Sequence, residues 1–295
     1  MVAPSEYVQS RRLGDVTVTA INDGSIALPV ELTVPEEVWR QEIDVDLEGK
    51  VPLDSHVLLV QTGGSTILID AGLDEPGSSG EQPFLEEWPG LRRTPGVVAG
   101  LATVGVRPQD VTQVLVTHVH FDHVVGLATE RDGRLVPRYP SAHVVLGRAD
   151  WENPPEGHLG PEQRACIGAV AEAGLLVLLD GEREIVPGVT MIPAPGESPG
   201  HSIIRISSNG ETLYAVGDLF HFGAEVEHTD WMVPWADPKR MAVSRRRLLD
   251  DAVSADALVV FSHEDFPPWG RIAPNRGHGF RWARDRGAPS LEPGR

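Results

Sequence analysis

Apolar and polar positions alternate with period two over residues 16–21, which predicts a half-buried strand. Asn22-Asp23-Gly24 then reads as a turn, with residues 26–30 as the returning strand of a hairpin. Residues 56–60 and 66–70 predict a second hairpin around Gly63-Gly64. A helix is expected over 94–104, leading into the apolar run Val114-Leu115-Val116, a buried strand. Further strands are expected at 143–146, 189–192, 201–207, 212–216 and 257–261. Residues 161–173 predict a helix with proline in its first turn. Asp237-Pro238 opens another helix, through Ala252, with Met241, Ser244, Leu248 and Ala252 on one stripe. Residues 31–53 are irregular and acidic around Trp39 and read as a cap-like excursion. With no repeat, linker or strict βαβ alternation, the pattern predicts a single α/β domain over 1–295: two sheets with outer helices.

Composition narrows the function. The chain has 295 residues, 41% hydrophobic, enough for a sizeable core. Acidic residues number 43 against 25 Lys and Arg, a formal charge of −18 that repels phosphate backbones and argues against a nucleic-acid partner. No apolar span is long enough to cross a membrane, and residues 1–15 do not read as a signal peptide. The single cysteine, Cys166, permits no intrachain disulfide and fits a reducing cytoplasm, the expected location. On its helix it reads as a core residue.

Chemistry concentrates just after the run 114–116, in Thr117-His118-Val119-His120-Phe121-Asp122-His123. Imidazole and carboxylate are ligand types that suit Zn²⁺ and similar cations. In an extended chain His118 and His120 leave on the same side, while Asp122 and His123 turn away toward a possible second metal. His201, Asp218 and His263 stand in comparable places, each just past an apolar strand or its turn. Strand ends converging on one edge of a layered fold place all seven residues around one point. His56, His143, His158, His228 and His278 each read as surface or hydrogen-bonded structural residues.

The order His118-x-His120-x-Asp122-His123, His201, Asp218, His263 resembles the dinuclear ligand set of the metallo-β-lactamase-fold hydrolase superfamily. That resemblance implies an αββα sandwich, two mixed β-sheets flanked by helices, with the metals at one edge. It implies that His118, His120 and His201 hold one divalent metal and Asp122, His123 and His263 the other, with Asp218 bridging. Asp70, at a strand exit, would be the carboxylate that accepts the second N–H of a ligand histidine. Residues 16–24, 237–249, 262–270 and Gly279-Phe280-Arg281-Trp282 look most like the branch of acyl-homoserine-lactone lactonases and methyl-parathion-hydrolase-like enzymes. His221 stands where the lactonases carry a tyrosine, three residues after the bridging aspartate; it either donates a proton in that tyrosine's place or only lines the pocket wall.

What the resemblance implies for activity is hydrolysis of a lactone or carboxylic ester by a hydroxide shared between two metals, with Asp122 and His221 carrying protons. Zinc is the first candidate metal, though the same ligands accept Mn²⁺, Fe²⁺ or Co²⁺. Phe121, Phe222, Trp231, Trp235, Phe266 and Trp269 lie near the ligands in sequence and suggest an apolar pocket for a small neutral hydrophobic substrate. A phosphotriesterase or thioesterase would use the same site. A mononuclear iron dioxygenase of this fold would use only His118, His201 and Asp218. A homodimer is expected from the branch alone.

Overall fold

The computed structural model describes residues 3–275 and 279–285; His278 lies outside the described residues. Strand β1 (Val8–Leu13) folds back on β2 (Val16–Leu28), which pairs with β3 (Val51–Thr62), which pairs with β4 (Ser65–Ile69), all antiparallel. The short β5 (Arg92–Arg93) pairs with β2, and β6 (Gln113–Leu115) lies parallel to β4. The hairpin β7 (Ala128–Arg131) and β8 (Arg134–Pro137) forms a small sheet of its own. Parallel β9 (His143–Gly147) and β10 (Leu176–Leu179) complete the first sheet.

The second sheet runs in chain order: β11 (Arg183–Val186), β12 (Val189–Pro193), β13 (Ser202–Ser208), β14 (Glu211–Ala215), β15 (Leu258–Val260), β16 (Trp269–Asn275) and β17 (Gly279–Arg284). Only β14 and β15 are parallel within it. A parallel neighbour needs a crossover, and the helix Pro238–Ser254 supplies one. Asp237 caps that helix by accepting from Lys239 N and Arg240 N.

The two sheets face each other across one apolar layer, with Val18, Val60 and Ile67 from the first against Met191, Ile204 and Val260 from the second. Leu101, Ile167 and Val170 cover the outer face of the first sheet, and Met241, Leu248 and Leu249 that of the second. The chain is therefore α/β with an αββα layering. No described helix is long and apolar enough to cross a membrane.

Asn22-Asp23-Gly24 is not a turn. β2 runs straight through it with a register shift against β3, and the hairpin partner is β1. Twelve-residue β3 offers pairing on both sides of the irregularity, so a bulge satisfies the local preference of these residues at less cost than breaking the sheet. Asn22 Oδ1 accepts from Gly24 N at 2.8 Å, and buried Asp23 accepts from Leu73 N and Arg93. Between β2 and β3 the chain makes a short helix, Glu36–Trp39, and packs Leu32, Trp39 and Ile43 on Trp231.

Candidate metal centre

The candidate ligands gather where strands end at one edge of the sandwich, with Asp122 and His123 on the short helix Phe121–Val124 that follows β6. His118 lies beyond β6, His201 immediately precedes β13, Asp218 follows β14 and His263 follows β15. Backbone bonds stitch these ends together: Ser202 N donates to Thr117 O at 2.8 Å, and Asp70 N to Leu115 O at 2.9 Å. Gly217, at φ +54°, carries the chain into Asp218; a Cβ there would stand 2.8 Å from His201 Nε2.

Four imidazoles have their outer nitrogen tied and their inner nitrogen turned toward Asp218. His123 Nδ1 donates to Asp70 Oδ2 at 2.8 Å, His263 Nδ1 to Asp54 O at 2.8 Å, and His201 Nδ1 to Ala194 O at 3.1 Å, while His118 Nδ1 meets the Thr117 hydroxyl at 3.1 Å. Such bonds fix the tautomer and aim of a metal-binding histidine. Around the Asp218 carboxylate, Oδ2 lies 3.5 Å from His118 Nε2 and 3.2 Å from His263 Nε2, and Oδ1 lies 3.4 Å from His123 Nε2. Asp122 Oδ2 is 3.7 Å from both His123 Nε2 and His263 Nε2. Three compact groups result: His118–His120–Asp218, Asp122–His123–His263, and, sharing His120 with the first, His120–His158–Glu197. His201 stands beside the first group; its Nε2 accepts the Asp218 backbone N–H at 3.2 Å.

The donor chemistry fits divalent cations. Buried His118 Nε2, His123 Nε2 and Asp218 Oδ1 make no hydrogen bond, an arrangement disfavoured by about 1–3 kcal/mol per group unless something binds them. Burial holds His120 and His201 down at about 4 and His118 well below the usual imidazole value, so these three are neutral. For His123 burial acts in the same direction, but Asp122, Asp70 and Asp218 outweigh it and raise the group. Burial opposes the Asp218 charge, yet His263 and His123 hold its carboxyl well below the usual range. Three neutral imidazoles beside the ionised Asp218 carboxylate form a donor set for a hard or borderline cation.

His221 is brought to the site, its Nε2 3.4 Å from Asp218 Oδ2 and its ring parallel to His263 at 5.7 Å between centroids. Burial lowers its proton affinity, but the neighbouring Asp218 and Glu225 carboxylates prevail and carry it to about 10. Behind it Glu225 is fully buried against Arg245 at 2.8 Å.

The aromatic residues divide. Phe222 lies next to His221, and Trp235, half exposed, stands edge-on to His120 at 6.1 Å. Phe121 stacks on Trp88 and Phe84, while Phe266 tilts against His56. Trp269, expected in the pocket, is instead fully buried between the sheets, its indole N–H given to Gln9. Trp231 likewise sits under residues 29–50, stacked on His228. Both follow ligand-bearing loops in sequence, but their side chains take the larger apolar contact available on the other side.

Two residues at the centre escaped the sequence reading. Glu197, 1% exposed, reaches His120 Nδ1 at 3.3 Å and His118 Nε2 at 3.7 Å. His158, read as structural, stacks on His120 at 5.0 Å with a buried, unpaired Nε2. Glu197 had one signal: an acidic residue inside the Pro195–Gly200 loop, four positions before His201. His158 had none, because its loop reaches the site only through tertiary packing.

The description "Metallo-beta-lactamase superfamily" fits residues 51–279 of this chain. An N-acyl homoserine lactonase of Bacillus thuringiensis subsp. kurstaki is 24% identical over 216 residues, covering 70% of this chain and 79% of that protein. A probable metallo-hydrolase of Mycobacterium tuberculosis is 24% identical over 243 residues, covering 72% of this chain and 76% of that protein. In fold, a probable metal-dependent hydrolase from Staphylococcus aureus matches with a TM-score of 0.78 at 23% identity, over 95% of this chain and all (100%) of that one. A dizinc quorum-quenching lactonase in complex with its homoserine product matches with a TM-score of 0.78 at 20% identity, over 97% and 100%.

Proposed function

The chain belongs to the metallo-β-lactamase superfamily and is a metal-dependent hydrolase, and from that premise we propose that it opens a lactone or cleaves a carboxylic ester at a two-metal centre. The observation that carries this reading is the position of Asp218 between the ligand groups: its Oδ2 lies 3.5 Å from His118 and 3.2 Å from His263, and its Oδ1 3.4 Å from His123. His118, His120, His201 and Asp218 would hold one ion; Asp122, His123, His263 and Asp218 would hold the other. When bound, the ions supply a water acidified toward neutrality and Lewis-acid polarisation of the scissile carbonyl. Zinc suits this donor set, and a dizinc lactonase shares the fold. The Asp122–His123–His263 group supports a second ion over a mononuclear iron site, which would leave those three residues without a role.

The chain's own groups divide the proton work. Asp122 borders both inner nitrogens of the second group and accepts from the Ser55 hydroxyl at 3.4 Å, a position from which it takes the proton of the attacking water. His221, held between Asp218 and Glu225, donates to the departing alkoxide in the place of the lactonase tyrosine. Phe222 and Trp235 form an apolar rim that favours a small neutral substrate over a charged one. The test is a hydrolysis screen of the metal-replete protein over lactones, aryl esters, phosphotriesters, thioesters and β-lactams. Turnover highest on lactones or carboxylic esters supports the proposal. Preferential turnover of phosphotriesters or thioesters reassigns the substrate, and oxygen uptake without hydrolysis contradicts it.

A further inference from the structure

Glu197 is an acidic residue placed where its burial calls for an electrostatic partner. Its side chain is fully enclosed, yet among the described residues no Arg or Lys pairs with it. One oxygen, Oε1, accepts the Trp235 indole N–H at 3.0 Å and lies 3.3 Å from His120 Nδ1. The other, Oε2, is buried without a hydrogen bond and lies 3.7 Å from His118 Nε2, itself buried and unpaired. An isolated buried carboxylate is strongly disfavoured unless a cation meets it. Both of its neighbours are candidate ligands of the first group, and each turns toward it the nitrogen it would offer a cation. Two unpaired donor atoms 3.7 Å apart leave room for an ion touching both.

We infer that Glu197 is a carboxylate ligand of the first metal, beside His118, His120, His201 and Asp218, so that this site is richer in anionic oxygen than the histidine-rich set of the sequence motif. The inference rests on the two-metal reading. Added carboxylate raises coordination number and shifts preference from Zn²⁺ toward harder cations such as Mn²⁺. Trp235 is then a positioning residue, since its indole fixes the carboxylate without touching the ion.

The experiment compares wild-type protein with Glu197→Gln and Trp235→Phe, each stripped and reloaded with Co²⁺, Mn²⁺ or Zn²⁺. Affinity is read by chelator competition and coordination by the visible Co²⁺ spectrum. Glu197→Gln keeps an oxygen for the Trp235 N–H and hence the local fold, checked by thermal melting. It is expected to weaken one of two ions by at least about 100-fold, beyond the loss usual for an outer partner. Mn²⁺ should suffer more than Zn²⁺, and the Co²⁺ bands of that site should intensify as its coordination number falls. Trp235→Phe should keep both ions with a smaller loss. Unchanged affinities and spectra in Glu197→Gln, with two ions bound throughout, overturn the inference and leave the two-metal reading standing. A third equivalent in the wild type that disappears in both Glu197→Gln and His158→Ala overturns it in favour of a separate cation at His158. A wild type that loads no metal overturns both.

Discussion

Asp70 Oδ2 accepts a 2.8 Å hydrogen bond from His123 Nδ1, which turns His123 Nε2 to within 3.4 Å of Asp218. The same carboxylate takes the Thr117 backbone N–H at 2.7 Å, so one residue anchors the histidine motif at both ends. Asp70 sits at φ 62°, a conformation that Asn also tolerates, so Asp70→Asn should fold normally. It should weaken one of two bound metals by about 10–100-fold, read by chelator competition. Wild-type affinity for both metals would show that His123 does not depend on Asp70.

His221→Phe separates proton transfer from metal binding. The change should leave two metals per chain and lower kcat/KM for an unactivated lactone by roughly 10²–10⁴-fold. An aryl ester, whose leaving group needs no proton, should lose far less. Equal losses on both substrates would make His221 a pocket wall.

The ligand motif was legible because its members are neighbours in the chain, and strand-end placement carried the reading to His201, Asp218 and His263. Glu197 and His158 were not legible, since what marks them is burial beside His120, which only the folded loops create. The layered architecture followed from apolar runs such as 114–116 and from the stripe on Pro238–Ser254. Asn22-Asp23-Gly24 misled because a bulge and a turn favour the same residues, and the long partner β3 decides between them. Trp269 misled because proximity in sequence to His263 says nothing about which side of the strand a side chain takes.

Arg245 is fully buried on the helix Pro238–Ser254, where it pairs with Glu225 at 2.8 Å and donates to the carbonyls of Leu219 and Trp231. Arg245→Ala strands the Glu225 charge and should cost about 3–5 kcal/mol. At this size that lowers Tm by roughly 5–8 °C. Arg245→Met combined with Glu225→Gln should be less harmful than Arg245→Met alone, measured by thermal melting. Equal damage in both would locate the loss in packing rather than charge.

Asp150 accepts from Ser198 Oγ at 2.8 Å and Gly200 N at 2.6 Å, bracing the loop ahead of His201. Burial raises its carboxyl to about 7, against an ordinary 3.8. Between about pH 4 and 7 the native state therefore keeps a proton that the unfolded chain has lost, so this group's contribution to stability declines as pH rises through that window. Asp150→Asn cannot ionise and should lack this decline, melting no lower than wild type at pH 8 while losing ground relative to it toward pH 4. Parallel Tm profiles for the two proteins from pH 4 to 8 would contradict the assignment.

The proposed two-metal centre at Asp218 is tested most directly by titrating metal-free protein with Zn²⁺ while following lactone hydrolysis and bound metal together. Hydrolysis should rise with the second equivalent and level off at two ions per chain, and Asp218→Ala should abolish both the activity and the stable loading of either ion. Full activity at a single equivalent, or Asp218→Ala retaining two ions and normal turnover, would contradict it.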